Sequence, residues 1–195
     1  MKIRDRNEET EKQYKLSLEA DPNDAGSHLN YGLLLHEMDR MKEAEKQYKL
    51  ALKIDPNYAT AHNNYGVLFE RMGHKVKAEK QYKLALEANP NYAEAHYNYG
   101  NILNEMGRFA EAEKQYQLSL ENDPNSAATH YNYGLLLHNM NRMKEAEVQY
   151  KLALEADPED TDIHWNYGVL LEELGRKKEA AMQYFLALGA NSDNV

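Results

Sequence analysis

Five prolines punctuate this chain at a fixed interval. Pro22, Pro56, Pro90, Pro124 and Pro158 stand 34 residues apart. A period of this length marks supersecondary units stacked in a row, each covering its apolar face with its neighbours. It overrides the prior for one globular core that the chain length alone would suggest. The phase predicts a single array made of a half unit, 1–24, and five full units, 25–58, 59–92, 93–126, 127–160 and 161–194.

Each full unit reads as two helices, A and B, around a tight turn. In 93–126, His96, Tyr99, Gly100, Leu103 and Met106 fall on one stripe of a helix A running from about Ala93 to Met106. Ala112, Tyr116, Ser119 and Leu120 make the facing stripe of helix B. Asn91 is the expected cap of helix A. The turn residue is Asp39, Gly73, Gly107, Asn141 or Gly175, all types that tolerate a left-handed backbone. Glu43, Glu111, Glu145 and Glu179 then sit in the first turn of helix B, where the helix dipole favours an acid. Gly32, Gly66, Gly100, Gly134 and Gly168 stand in mid-helix, where glycine costs about 1 kcal/mol against alanine. Close approach of a neighbouring helix is the expected compensation. The half unit keeps only helix B, with Tyr14, Leu18 and Pro22 in register with Tyr116, Leu120 and Pro124. The array is expected to stop at Gly189-Ala190-Asn191-Ser192, with Ser192 in place of proline and part of the last helix B, around Tyr184 and Leu188, left open.

The run His96-x2-Tyr99-Gly100-x2-Leu103, then Ala112-x3-Tyr116, then Pro124, resembles the tetratricopeptide (TPR) signature. The family's usual Trp is His here, its Leu is Tyr, and its first aromatic is Leu. The small, small and proline positions match, and they recur in phase along nearly all 195 residues. The resemblance implies an all-α TPR solenoid: a right-handed superhelix of stacked antiparallel helix pairs, eleven helices in all. It also implies a non-enzymatic protein–protein interaction scaffold whose A helices line a concave groove. Copies this regular also fit a designed or recently duplicated array.

Composition narrows the function. The absence of cysteine excludes disulfides, thiol catalysis and cysteine metal sites, and fits a cytoplasmic protein. The opening MKIRDRNEETEK lacks the apolar core of a signal peptide, and no apolar run approaches a membrane span. A net charge of −9 argues against sequence-independent nucleic-acid binding. No P-loop, dinucleotide fingerprint or G-x-S-x-G occurs, so no catalytic set and no cofactor are expected. His28, His62, His96, His130 and His164 come one per unit, too widely spaced on helices about 8–10 Å apart to share a metal. They are expected to pack and hydrogen-bond between helices. Most of the 15 tyrosines fall on the core stripes. Glu111, Glu113, Lys114 and Glu121 read as a solvated helix face with surface ion pairs.

The candidate site lies opposite the core stripe of helix A. Glu94, Tyr97, Asn98, Asn101, Asn104 and Glu105 fall on that far face. Most of these positions vary among the five copies. The first reads Leu29, Asn63, Tyr97, Tyr131, Trp165, and another reads Leu33, Val67, Asn101, Leu135, Val169. One does not vary: Asn30, Asn64, Asn98, Asn132, Asn166. Asparagine is a mediocre helix residue, so five copies need a reason. Its amide both donates and accepts, which suits an extended peptide backbone. The row resembles the asparagine ladder in the superhelical domain of O-linked N-acetylglucosamine transferase, and that resemblance implies peptide-backbone binding. The alternative is that the amides bond adjacent repeats, or were inherited by duplication. The candidate peptide-binding residues are the five asparagines with Tyr97, Tyr131, Trp165, Leu33, Val67, Asn101 and Leu135. Glu37, Glu70, Glu94, Glu105, Asp162, Glu172 and Glu173 against Arg71 favour a neutral-to-basic ligand. The basic residues with which other TPR domains clamp a terminal carboxylate are missing. Two other readings stay open: a module that self-assembles through uncapped ends, and a regulatory or targeting piece of a larger protein.

Overall fold

Eleven α-helices and no strand make up residues 3–189, the part of the chain that the computed structural model describes. They are α1 (Ile3–Ala20), α2 (Ala25–Glu37), α3 (Met41–Ile54), α4 (Ala59–Arg71), α5 (Lys75–Ala88), α6 (Ala93–Glu105), α7 (Phe109–Asn122), α8 (Ala127–Asn139), α9 (Met143–Ala156), α10 (Thr161–Glu173) and α11 (Lys177–Ala187). The expected stop at Ala190–Ser192 lies outside the described residues. The chain divides into two compact units, 1–102 and 103–195, with the boundary inside α6. In the first unit each helix from α1 to α5 packs on the next, and α2 also meets α4. In the second unit the same holds from α7 to α11, and α8 meets α10.

Local chemistry sets the helix ends. Asp39 and Asn141 adopt φ of 61°, and Gly73, Gly107 and Gly175 lie between 74° and 76°, so every A-to-B turn passes through a left-handed residue. Asp24, Ser126 and Asp160 cap α2, α8 and α10 by accepting backbone N–H bonds. Asn91 is not the cap of α6: its own N–H is turned back to Asn89 Oδ1, 3.2 Å away, and the first helical bond runs from His96 to the carbonyl of Tyr92. An aspartate or asparagine followed by proline thus spends its side chain on the loop before the helix.

The mid-helix glycines face the tyrosines of helix B. A Cβ on Gly32 would lie 2.6 Å from the Tyr48 ring, one on Gly66 2.5 Å from Tyr82, and one on Gly134 2.9 Å from Tyr150. Those three rings are fully buried, among Ala44, Ala51, Ala78, Ala85, Ala146 and Ala153. Small residues on both helices let one large ring fill each hairpin.

A second arrangement joins one hairpin to the next. The helix A tyrosines Tyr31, Tyr65, Tyr99, Tyr133 and Tyr167 donate their hydroxyls to Glu11, Glu45, Glu79, Glu113 and Glu147 of the preceding helix, at 2.8–3.2 Å. Arg40, Arg142 and Arg176, at the start of the following helix B, reach back to Glu11, Glu113 and Glu147 at 2.6–2.8 Å. Glu113 therefore does not belong to a freely solvated face, as its neighbours along the helix suggest. It is the centre of an inter-hairpin bond. The Arg40 guanidinium, with help from Lys15 and Tyr31, holds Glu11 at about 2 against the opposing pull of burial. Burial pushes Glu147 up, but Arg176, Lys151 and Tyr167 outweigh it and hold the carboxyl at about 2.

The side of α11 away from α10 is open among the described residues. Only Ala180 of this helix is buried, whereas Met182 and Leu188 are 51% and 77% exposed.

Candidate functional site

The asparagines on the A helices do not all have the same surroundings. In the first unit, Asn30 is exposed and lines a hollow of about 280 Å³ with Tyr14, Leu33 and Glu37. Asn64 turns its Nδ2 to the Thr60 carbonyl one turn back, at 2.9 Å. Asn98 reaches across to the preceding A helix and donates to Asn63 Oδ1 at 3.0 Å. Asn63 in turn donates to Glu94 Oε1 at 3.1 Å, and the Tyr92 hydroxyl donates to Glu94 Oε2 at 3.2 Å. In the second unit, Asn166 donates to the Asp162 carbonyl at 2.8 Å and to the Tyr131 hydroxyl at 2.9 Å. Asn132, Tyr97 and Asn101 also have partners. Two rungs, Asn98 and Asn166, thus tie one A helix to the one before it. This is the adjacent-repeat role that the sequence left open.

The variable positions separate by depth. Leu29 and Asn63 are buried, Asn63 completely, so this column reaches the surface only in later copies. Tyr131 is half-buried, and Trp165 is 52% exposed, its ring 5.0 Å from that of Tyr184. Leu33, Val67, Asn101 and Leu135 are half-buried. Burial, reinforced by Asp162 and Asp160, pushes the Tyr131 hydroxyl up, so it is a neutral phenol at physiological pH. The acids are partly engaged: Glu173 meets His138 Nε2 at 3.1 Å, and Glu172 accepts from the Tyr184 hydroxyl at 2.9 Å. Arg71 is turned to the end of α2, bonding the His36 carbonyl and Asp39. Two further hollows, of about 360 and 370 Å³, run along the charged faces of α5 and α3 and contain none of the candidate residues.

The histidine ladder has a different task. In His28, His62, His130 and His164 one ring nitrogen meets a helix B glutamine, Gln47, Gln81, Gln149 or Gln183, at 2.7–2.8 Å. The other meets the carbonyl of Pro22, Pro56, Pro124 or Pro158 at 2.9–3.1 Å, as His96 does with Pro90. A carbonyl only accepts, so that nitrogen carries the proton. These rings fasten the loop before helix A to helix B of the same hairpin. Among the described residues no group of three or more histidines and carboxylates is placed to hold a metal.

Sequence reasoning missed Asn63, Glu94 and Tyr92 as a connected set, and the Glu–Tyr–Arg bond between hairpins. The second had a signal available. Glu11, Glu45, Glu79, Glu113 and Glu147 recur with the same period as the tyrosines that they accept from.

Models of the tetratricopeptide repeat family match residues 23–91, 66–127 and 105–164. A search of curated proteins finds no match. Among solved structures, PilW, described as a widely conserved type IV pilus biogenesis factor, aligns with a TM-score of 0.83 and 22% identity over 97% of this chain and 87% of that one. The pilF protein of Pseudomonas aeruginosa aligns with a TM-score of 0.81 and 23% identity over 87% of this chain and 78% of that one. YrrB, described as a TPR protein with an unusual peptide-binding site, aligns with a TM-score of 0.72 and 23% identity over 93% of each chain. At these identities the likeness is one of fold.

Proposed function

Because the chain belongs to the tetratricopeptide repeat family, we propose that it is a non-enzymatic scaffold that binds an extended, neutral-to-basic peptide or partner segment on the exposed faces of its A helices. The observation that carries this reading is an amide at the same place on each A helix, open to solvent at Asn30 and half-exposed at Asn64, Asn98 and Asn166. Leu33 and Val67 in the first unit, and Leu135, Tyr131 and Trp165 in the second, offer apolar and aromatic surface beside it. Glu37 and Asp162, both exposed, bias the charge towards a basic ligand. The fold likeness to YrrB, itself a TPR protein with an unusual peptide-binding site, supports the same reading. The proposal involves neither nucleic acid nor a membrane, and places the protein in the cytoplasm on its cysteine-free composition. No helix among the described residues is long and apolar enough to cross a membrane.

The test uses the two rungs that hold no other helix. Asn30→Ala with Asn64→Ala leaves the bonds of Asn98 and Asn166 in place. Thermal stability should stay level or rise slightly, since alanine is the better helix former. Calorimetric titration with a basic, glycine-rich peptide should show affinity falling about tenfold, at about 0.5–1.5 kcal/mol per lost hydrogen bond. Unchanged affinity in a folded double variant would refute the reading.

The open side of α11 favours a second reading, self-assembly through that face. It predicts a mass that rises with protein concentration and falls back when Leu188 is changed to Lys. A constant mass into the millimolar range would exclude it.

A further inference from the structure

The orientation of three rungs is dictated by their partners. Asn64 and Asn166 each face a backbone carbonyl, of Thr60 and Asp162. A carbonyl cannot donate, so the amide must present its NH2. At Asn98 the reasoning takes one more step. Glu94 is acceptor-only, so Asn63 gives it the NH2 end, which leaves Asn63 Oδ1 towards Asn98. Asn98 must then donate. In all three rungs the nitrogen end is turned to the fold, with both N–H groups used at Asn166 and one each at Asn64 and Asn98. The Oδ1 atoms of Asn64, Asn98 and Asn166 have no partner there and are open to solvent.

The open end of the ladder is therefore an acceptor. An amide that both donates and accepts would grip N–H and C=O of a ligand alike. In these rungs the outward-facing atom is the oxygen, and an oxygen takes N–H groups. Spacing then selects the shape of the ligand. Asn64 and Asn98 stand on neighbouring A helices, about 8–10 Å apart. In a flat β-strand, N–H groups on the same edge recur every second residue, about 6.6–6.8 Å, which falls short. In a polyproline II helix every third residue returns to the same side, after about 9.3 Å, and no N–H is used internally.

We propose, building on the reading above, that the rungs Asn64 and Asn98 of the first unit take a basic segment in polyproline II conformation by every third backbone N–H. Proline is then forbidden at the residue on a rung, where it lacks the N–H, and favoured at the two residues between rungs, where it fixes the conformation. The exposed acid Glu37 in the same unit accepts a basic side chain from the segment.

Peptides of equal length built from the repeats Lys-Gly-Gly, Lys-Pro-Pro and Lys-Pro test this on the full chain by calorimetric titration. Lys-Pro-Pro keeps an N–H at every third residue alone and should bind at least as tightly as Lys-Gly-Gly. Lys-Pro has more N–H groups and more charge, but at every second residue it meets only one of two adjacent rungs. It should bind roughly three- to tenfold more weakly than Lys-Pro-Pro. Both losses and gains should disappear in the Asn30→Ala, Asn64→Ala variant for the first unit's share of binding. If Lys-Gly-Gly binds through the ladder but Lys-Pro equals or exceeds Lys-Pro-Pro, the every-third-N–H inference is wrong and the groove reading survives. If Lys-Gly-Gly does not bind at millimolar concentration, both fall.

Discussion

Tyr150→Ala should lower the unfolding free energy by about 3–5 kcal/mol, the range for removing a large buried aromatic ring. Tyr150 is fully buried and lies against Gly134, which has no side chain to move into the space. The hole therefore cannot close from the opposite helix. Tyr150→Phe should act the other way. The hydroxyl is buried without a hydrogen-bond partner, so removing it should raise stability by about 1 kcal/mol. Tyr133→Phe is the control, because its hydroxyl donates to Glu113 at 2.8 Å and its loss should destabilise. Urea unfolding of the three variants decides the matter. A Phe variant at position 150 that is less stable than the parent would mean that the hydroxyl has a partner after all.

Glu147→Gln should cost about 2 kcal/mol at neutral pH, and the cost should vanish in acid. The carboxylate accepts from Arg176 at 2.8 Å, Lys151 at 2.7 Å and Tyr167 at 3.1 Å. Its side chain is 16% exposed, so screening by water is limited, and hydrogen bonds to charged groups are worth about 1.5–3 kcal/mol in such places. The carboxyl sits at about 2 in the fold against an ordinary 4.5. A folded value below the unfolded one stabilises the fold above about 4.5, and the stabilisation is lost as pH falls through 4.5 towards 2. Parent and variant should therefore converge between those values. Thermal unfolding at neutral pH and near pH 2 measures both limits. A difference that persists near pH 2 would assign the effect to shape rather than charge. Glu11, held by Arg40 in the first unit, should behave alike.

What the sequence made legible was local or periodic. The turns at Asp39 and Gly73, the buried rings of Tyr82 and Tyr150, and the number of helices all follow from one period and one helical wheel. The helical wheel of a single helix is also what misled. Glu113 stands beside Lys114 and near Glu111, and along its own helix it looks solvated. Its partners Tyr133 and Arg142 are 20 and 29 residues on, in the next hairpin. The position of Asn63 holds Leu29, Tyr97, Tyr131 and Trp165 in the other copies, which disguises a buried amide as a variable surface. The ladder was visible as a row of asparagines. Which end of each amide faces out was not, since that depends on Thr60, Asp162 and Glu94.

The described side-chain bonds between helices span no more than 35 residues: 19 from His28 to Gln47, 20 from Glu11 to Tyr31, 29 from Glu11 to Arg40, and 35 from Asn63 to Asn98. Each closes a short loop, and the entropy of closing a loop grows with its length. Contacts of this kind give a low contact order, which goes with fast folding. A hairpin and its neighbour can collapse before the rest of the chain exists, and ordering then spreads outward from any such pair. Folding during synthesis would follow the emerging chain one hairpin at a time, with no step that waits for the two ends to meet.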